Sequence, residues 1–327
     1  MRFASGLLFA IGIVGMSLRA ADAQYGYESR ADNGFAEPSH AFIQPDSLAS
    51  CYPVRPAAWL ATFDFDVLVL RRSRVNSLNL VTINGTDALN ARDLNFDESF
   101  AFRFAATLSS DCGCDLQFNY LTSRDFSDSV ELTGTNVQDF FFGLTGSQTD
   151  LDVRYKSDFD SLEVNVRSRQ WEGVAPLAGF RVIQVDEMTN QLDVTNNLTF
   201  AGRADNQLYG FQLGADAILA RWGNARLEST VKGGVYYNSL DLSGETATAS
   251  LNRSFSHVAF AGEVTIAGVL QVGPHVAARL GYQALLLDGI ALIFDQYDNF
   301  DITTGSGSLD LGRARYVGGF VSLEFTW

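Results

Sequence analysis

The chain has 327 residues and a formal net charge of -15, which excludes a nucleic-acid partner, since a phosphate backbone binds basic faces. Its 25 Phe, 11 Tyr and 29 Gly against six Pro favour β-structure over helix. Three cysteines in an oxidising compartment allow one disulfide and leave one thiol over.

Taken in order, the chain opens with Arg2, an apolar run from Phe3 to Leu18, and Ala21-Asp22-Ala23. That order of charged, apolar and small residues predicts a signal peptide over 1–23 and an exported mature chain. The apolar run is too short for a spanning helix of roughly 20 residues, and no later run reaches that length. If the chain crosses a membrane, it does so with strands. Residues 24–57 contain Pro38, Pro45, Pro53 and Pro56 without periodicity and read as an irregular periplasmic lead-in.

From 58 to 327 the apolar residues alternate with period two, the signature of strands that turn one face to each side. The expected strands are 58–71, 98–108, one around 116–120, 151–168, 177–187, 207–222, 225–237, 258–270, 276–286, and a last one reaching Trp327. In the fourth the apolar phase flips, from Leu151, Val153 and Tyr155 to Leu162, Val164 and Val166. Either its first part rises beyond a bilayer or a bulge lies near Asp160. The fifth alternates too poorly for its faces to be assigned. Connections alternate long and short, as in an all-β, antiparallel, up-and-down transmembrane barrel with long outer loops and short periplasmic turns. About ten strands, an even number, place both termini on the periplasmic side; a hairpin within a loop would make twelve. All four tryptophans, Trp59, Trp171, Trp222 and Trp327, fall at the short-turn ends of strands, where an interface girdle would hold them.

The final stretch carries Val317, Gly319, Val321, Leu323, Phe325 and Trp327 on one face. It resembles the C-terminal signature of bacterial outer-membrane barrels, which implies lipid as surroundings and recognition of this strand by the barrel-assembly machinery. Further segments are similar to a barrel family found mainly in planctomycetes. They are the Trp59-to-Leu70 strand, Ser161-Leu162-Glu163-Val164-Asn165, Gly179-Phe180-Arg181 with Asp186-Glu187, Asn206-Gln207-Leu208-Tyr209-Gly210-Phe211-Gln212, and Gly281-Tyr282-Gln283. The resemblance implies a barrel in the bacterial outer membrane and brings no activity, cofactor or site residue with it.

The face opposite the apolar one predicts a charged lumen of Arg103, Arg167, Arg226, Lys232 and Arg279 with Asp64, Asp66, Glu163, Asp216, Glu228, Glu263 and Glu324. Paired across strands, these fill the interior; left free, they line a narrow porin-like channel for small solutes or ions. A barrel of ten strands lies near the filled end of the size range, so a filled lumen with a structural or surface-interaction role is the leading expectation. An outer-rim hydrolase needs a histidine beside carboxylates, and His40, His257 and His275 are badly placed for it, so no enzyme is expected. Asp295, Asp298 and Asp301, and Asp125 with Asp128, read as solvated acidic loops before they read as a calcium site, which needs six to eight oxygens. Cys51 is expected to bridge Cys112 or Cys114, because all three fall at the same end of neighbouring strands. No metal or cofactor is implied, and no extracellular ligand is identified.

Overall fold

The computed structural model describes residues 60–96, 98–110, 113–139, 143–145, 148–168, 173–297, 299–301, 304 and 306–327. All belong to the unit Leu48–Trp327. The expected signal peptide and lead-in, with His40, Cys51, Cys112, Trp59, Trp171 and Asp298, lie outside the described residues.

Ten antiparallel strands close into a barrel. They are β1 (Leu60–Arg72), β2 (Ser99–Ser109), β3 (Cys114–Gly134), β4 (Thr149–Ser168) and β5 (Val174–Asp193). The second half is β6 (Leu198–Trp222), β7 (Ala225–Thr246), β8 (Ser250–Gln271), β9 (Val276–Ile290) and β10 (Gly312–Thr326). Each strand pairs with its neighbours in sequence, and β1 pairs with β10 from Thr62↔Thr326 to Arg72↔Tyr316. Closure leaves no unpaired edge, the condition for a sheet to sit in a medium that cannot hydrogen-bond. Trp327 completes the seam, exchanging backbone bonds with Ala61 at 2.9 and 3.0 Å.

The strands are far longer than the expected ones on one side. A spanning strand needs about 9–11 residues, yet β3 has 21, β6 has 25, and β7 and β8 have 22 each. The third, fifth and seventh connections are therefore shorter than alternation alone predicts. β4 shows the reason. Its inward positions are Leu151, Val153, Tyr155 and Phe159, then Glu163 and Asn165, all buried, while its outward positions run from Asp152, Arg154 and Lys156 to Leu162, Val164 and Val166. The side chains keep their faces; the chemistry of the two faces is exchanged halfway along. In the half that carries Glu163, the outside is apolar and the inside charged. In the half that carries Tyr155, the outside is polar and the inside apolar, as in a barrel surrounded by water.

The phase flip in β4 is thus a change of surroundings. Its register with β5 runs unbroken from Leu151↔Asp193 to Arg167↔Leu177, and the bulge lies across the pair in β3, between Ser123 and Phe126. Asp125 in that bulge takes a φ of 66°. The faces of β5 follow the same rule: Arg181, Ile183, Val185 and Glu187 point in, and Phe180 points out.

Around the barrel the apolar outer band is continuous. It includes Phe65, Phe100, Phe102, Phe104, Phe180, Phe211, Leu213, Val235, Phe260, Leu280, Tyr282 and Val321, all exposed, with Phe211 at 77%. Exposed apolar surface on this scale marks contact with something other than water. Tyr209 and Tyr237 sit opposite each other at its border. At the other end, Trp222 closes β6 and Trp327 follows β10, and both are exposed. The turns there are tight, and Gly223, at φ 55°, supplies the left-handed conformation that a two-residue turn requires.

β1, β2, β9 and β10 stop lower than the others, with 11 to 15 residues. Over that low side lie the two longest connections, 73–98 and 291–311. The first forms short strands Asn79–Ile83 and Thr86–Asn90, which join Val137–Asp139 and Gly143–Thr145 in a four-stranded sheet.

Candidate functional site

The centre of the lumen is a four-membered charge cage. Arg181 Nη1 lies 2.8 Å from Glu263 Oε2 and 3.3 Å from Glu163 Oε1; Lys232 Nζ lies 2.9 Å from Glu163 Oε2 and 3.4 Å from Glu263 Oε1. Charges of alternating sign occupy the corners, so each attracts two neighbours. Ser161 accepts from Arg181 Nε at 2.9 Å, and Gln212 donates to Glu163 at 2.9 Å and to Asn165 at 2.7 Å. Glycine makes room for these long side chains. A Cβ on Gly179 would strike Asn165, and one on Gly214 would meet the Val231 carbonyl and the Lys232 side chain.

Below and beside the cage the remaining expected lumen residues pair in turn. Arg103 binds Asp66, donates to Gln283 at 2.6 Å and lies over the Phe320 ring at 4.9 Å. Arg279 reaches Asp64 at 3.0 Å and Glu228 at 3.8 Å, and Arg226 joins Glu228 at 2.5 Å to Glu324 at 3.1 Å. Arg167 bridges Asp115 at 2.6 Å and Asp216 at 3.2 Å. The space left between Arg103, Asn119, Ser161, Glu163, Lys232, Glu263 and Gln283 is a cavity of about 30 Å³, room for about one or two waters.

Sequence reading omits Arg181 and Asp115. Arg181 lies on the strand whose faces could not be assigned; Phe180, once taken as outward, would have turned it inward. Asp115 lies just before the expected strand around 116–120 and is the second residue of β3.

Above the cage the lumen turns apolar and is closed by a stopper. After β9 the chain folds inward through a short 3₁₀ turn, and Ala291, Leu292, Ile293, Phe294 and Tyr297 are all buried. The Phe294 ring stacks on Tyr155 at 5.2 Å and Tyr297 meets Phe200 edge-on at 5.7 Å. The Asn206 side chain binds Ala291 as a peptide would, donating to its carbonyl and accepting from its N–H, both at 2.9 Å. Glu187 accepts from Ile293 N at 2.8 Å and also pairs with the buried Arg72, which in turn lies over Phe96 and Tyr155. The expectation of a solvated acidic loop at Asp295 is therefore corrected. Ile290 to Phe294, an apolar run without alternation, is the signal that points to a buried segment.

Asp295 sits on the stopper and accepts from Asn76 Nδ2 at 3.0 and 3.1 Å. Burial pushes its carboxyl up to about 6, against the opposing effect of the Asn76 amide. A carboxyl raised in the folded state contributes stability that is complete below its ordinary value of 3.8 and is lost as pH rises through about 6. Backbone amides of 291–311 are accordingly expected to exchange faster at about pH 8 than at about pH 5, after correction for intrinsic rates. Asp295→Asn should abolish that difference.

The other candidates fall outside the lumen network. His257 faces inward and meets the Gly289 carbonyl and Asn238, and His275 Nδ1 contacts the Thr326 carbonyl at 2.8 Å. Asp125 pairs with Lys156 at 2.6 Å, and Asp128 accepts from the Asn95 and Ser129 amides. Cys114 carries a free thiol among the described residues, and Cys51 and Cys112, the other cysteines of the expected bridge, lie outside them. The position of Cys114 within β3, paired with Ser168 on β4, commits that residue to the barrel wall.

In sequence, no protein-family model and no curated protein matches this chain. In fold it is similar to the outer membrane protease OmpT from Escherichia coli, with a TM-score of 0.52 at 10% identity over 82% of this chain and 97% of that one. The translocator domain of the autotransporter NalP from Neisseria meningitidis aligns with a TM-score of 0.39 at 10% identity, over 85% of this chain and 92% of that one. The first similarity shows a shared fold, that of a bacterial outer-membrane barrel.

Proposed function

We propose that this chain is an integral barrel of the bacterial outer membrane that does not conduct, and that its role is structural or surface-interacting. The charged half of the barrel is the anchor; the half with the apolar interior stands outside the membrane as a rigid, polar-surfaced column. The barrel begins at Leu60 and ends at Trp327 at the tight-turn end, which this reading puts on the periplasmic side, where the barrel-assembly machinery meets the C-terminal strand. The exchange of inner and outer chemistry along single unbroken strands carries this reading, because only a boundary between hydrocarbon and water asks for it.

The filled lumen supports the absence of conduction. The cage, the lower ion pairs and the stopper lie in series along the axis, and an ion would have to part all three. Catalysis is not proposed, since His257 is engaged with a backbone carbonyl in place of a carboxylate. The segments that resemble the planctomycete family contribute Glu163, Arg181, Glu187, Asn206, Gln212 and Gln283 to the cage and the stopper clamp, which fits a family built around this filled interior.

Single-channel recording of the refolded, heat-modifiable protein in a planar bilayer tests the proposal. Insertion without unitary current steps is the expected result. Stable steps with an ion preference would overturn it and make the lumen charges a selectivity lining.

A further inference from the structure

The outward rim just beyond the apolar band is charged, and its charges differ in whether they are paired. On β4 and β6 the positions beyond the band carry Asp160 and Asp205, which pair with Arg124 and Arg203 at 2.6 Å each. Where β10 meets β1, they carry arginine. Arg71, Arg74 and Arg315 are exposed there on a chain whose net charge is -15.

Among the described residues these arginines are held together without an anionic partner. Arg71 and Arg74 each donate from Nη2 to one neutral oxygen, Asn95 Oδ1, at 3.3 and 3.2 Å. Arg315 is tied to the same segment through its backbone: its carbonyl accepts from Ser73 N at 2.7 Å, and its N–H donates to Ser73 Oγ at 3.1 Å. Among the described residues no carboxylate pairs with any of the three. Arg313, one pleat further from the band, is different and binds Asp288 at 2.6 Å. Like charges gathered on one amide oxygen repel one another unless an anion joins them.

The apolar band begins directly below. Leu286 is the cross-strand partner of Arg315, and Val69, two residues before Arg71, pairs with Phe100. All three apolar side chains are exposed, Phe100 at 67%. A fork of guanidinium groups above a strip of exposed hydrocarbon matches one kind of molecule, with an anionic oxygen-rich head and acyl tails.

We propose that Arg71, Arg74 and Arg315 form a binding site for the phosphate-bearing headgroup of an outer-leaflet lipid, whose acyl chains lie along Val69, Phe100 and Leu286. The site rests on the placement of the band in the outer membrane argued above. It gives the barrel one preferred lipid contact on its short-stranded side, while the rim arginines Arg124 and Arg203 on the other side are already paired with Asp160 and Asp205.

The test uses the full chain reconstituted in nanodiscs of phosphatidylcholine doped with lipid A, with retained lipid counted by native mass spectrometry. The wild-type barrel is expected to retain lipid A selectively. The triple variant Arg71→Gln, Arg74→Gln, Arg315→Gln should weaken that retention at least about tenfold, and Arg154→Gln, which removes an arginine already paired with Asp152, should leave it unchanged. Equal retention by the wild type and the triple variant overturns the site. Displacement of the lipid by millimolar inorganic phosphate overturns its assignment to lipid and makes it a free-phosphate site. Heat-modifiable mobility reports insertion separately; should the triple variant fail to insert, Arg315→Gln alone is compared with the wild type. A wild-type barrel that does not insert removes the membrane placement itself, whereas one that inserts without lipid selectivity removes only this site.

Discussion

Arg181→Ala is expected to destabilise the barrel by about 3–5 kcal/mol, the range for breaking a buried ion pair from one side. The substitution leaves Glu163 and Glu263 facing each other with Lys232 as their only cation of the cage, in a space where water has room for about one or two molecules. The urea midpoint of the refolded protein in lipid vesicles, compared with that of the wild type, reads the effect. A double-mutant cycle with Glu263→Gln gives the sharper result. Removing one negative charge along with Arg181 restores balance, so the double variant should be more stable than the sum of the single losses predicts. Strict additivity would mean that the cage charges are solvated and do not act as a unit.

The second large effect is expected at Glu187, which serves two partners at once. Glu187→Ala leaves the buried Arg72 guanidinium without its carboxylate and the Ile293 N–H without its acceptor. The uncompensated charge costs about 3–5 kcal/mol, and the orphaned amide about 1–3 kcal/mol. These losses fall on the apolar outer half, so the response should be local. The segment 291–311 should become open to proteases while the anchor keeps its heat-modifiable mobility. Glu187→Gln separates the two contributions, because its amide oxygen still accepts from Ile293 while the charge is gone. If the glutamine variant is as protease-resistant as the wild type, the backbone contact alone holds the stopper. If it is as sensitive as the alanine variant, the ion pair to Arg72 does.

Both variants probe one architecture in two solvents. In the anchor, ion pairs are enclosed by a ring of backbone and beyond it by hydrocarbon, so each charge must find its counter-charge inside the barrel. In the outer column the same strands bury Tyr155, Phe159 and Tyr316 and turn Asp158 and Arg154 to water. The stopper belongs to the second regime. It fills an apolar interior with apolar side chains and satisfies its backbone through Asn206 and Glu187, since no sheet partner is available to it there.

The sequence by itself determined the barrel, its ten strands and the inward face of most of them. Hydrocarbon imposes apolar-out and polar-in on each strand separately, so Phe100, Phe102 and Phe104, or Val231 and Val235, announce their faces without reference to any neighbour. It also placed Arg103, Arg226, Lys232, Glu263 and Arg279 in the lumen, because period two carries each of them to the face opposite those residues. Where the strands leave hydrocarbon, the same period has the opposite meaning, and a single strand does not say which solvent it is in. For that reason the outer ends of β3, β5, β6, β7 and β8 read as loops, and Arg181 and Glu187 were left unassigned. Only the tertiary structure decided what those residues meet. Arg72 and Glu187 are 115 positions apart, and Asn206 and Ala291 are 85 apart. Such partners come together only when ten strands close into one ring, because closure, which no local pattern encodes, sets who faces whom across the lumen.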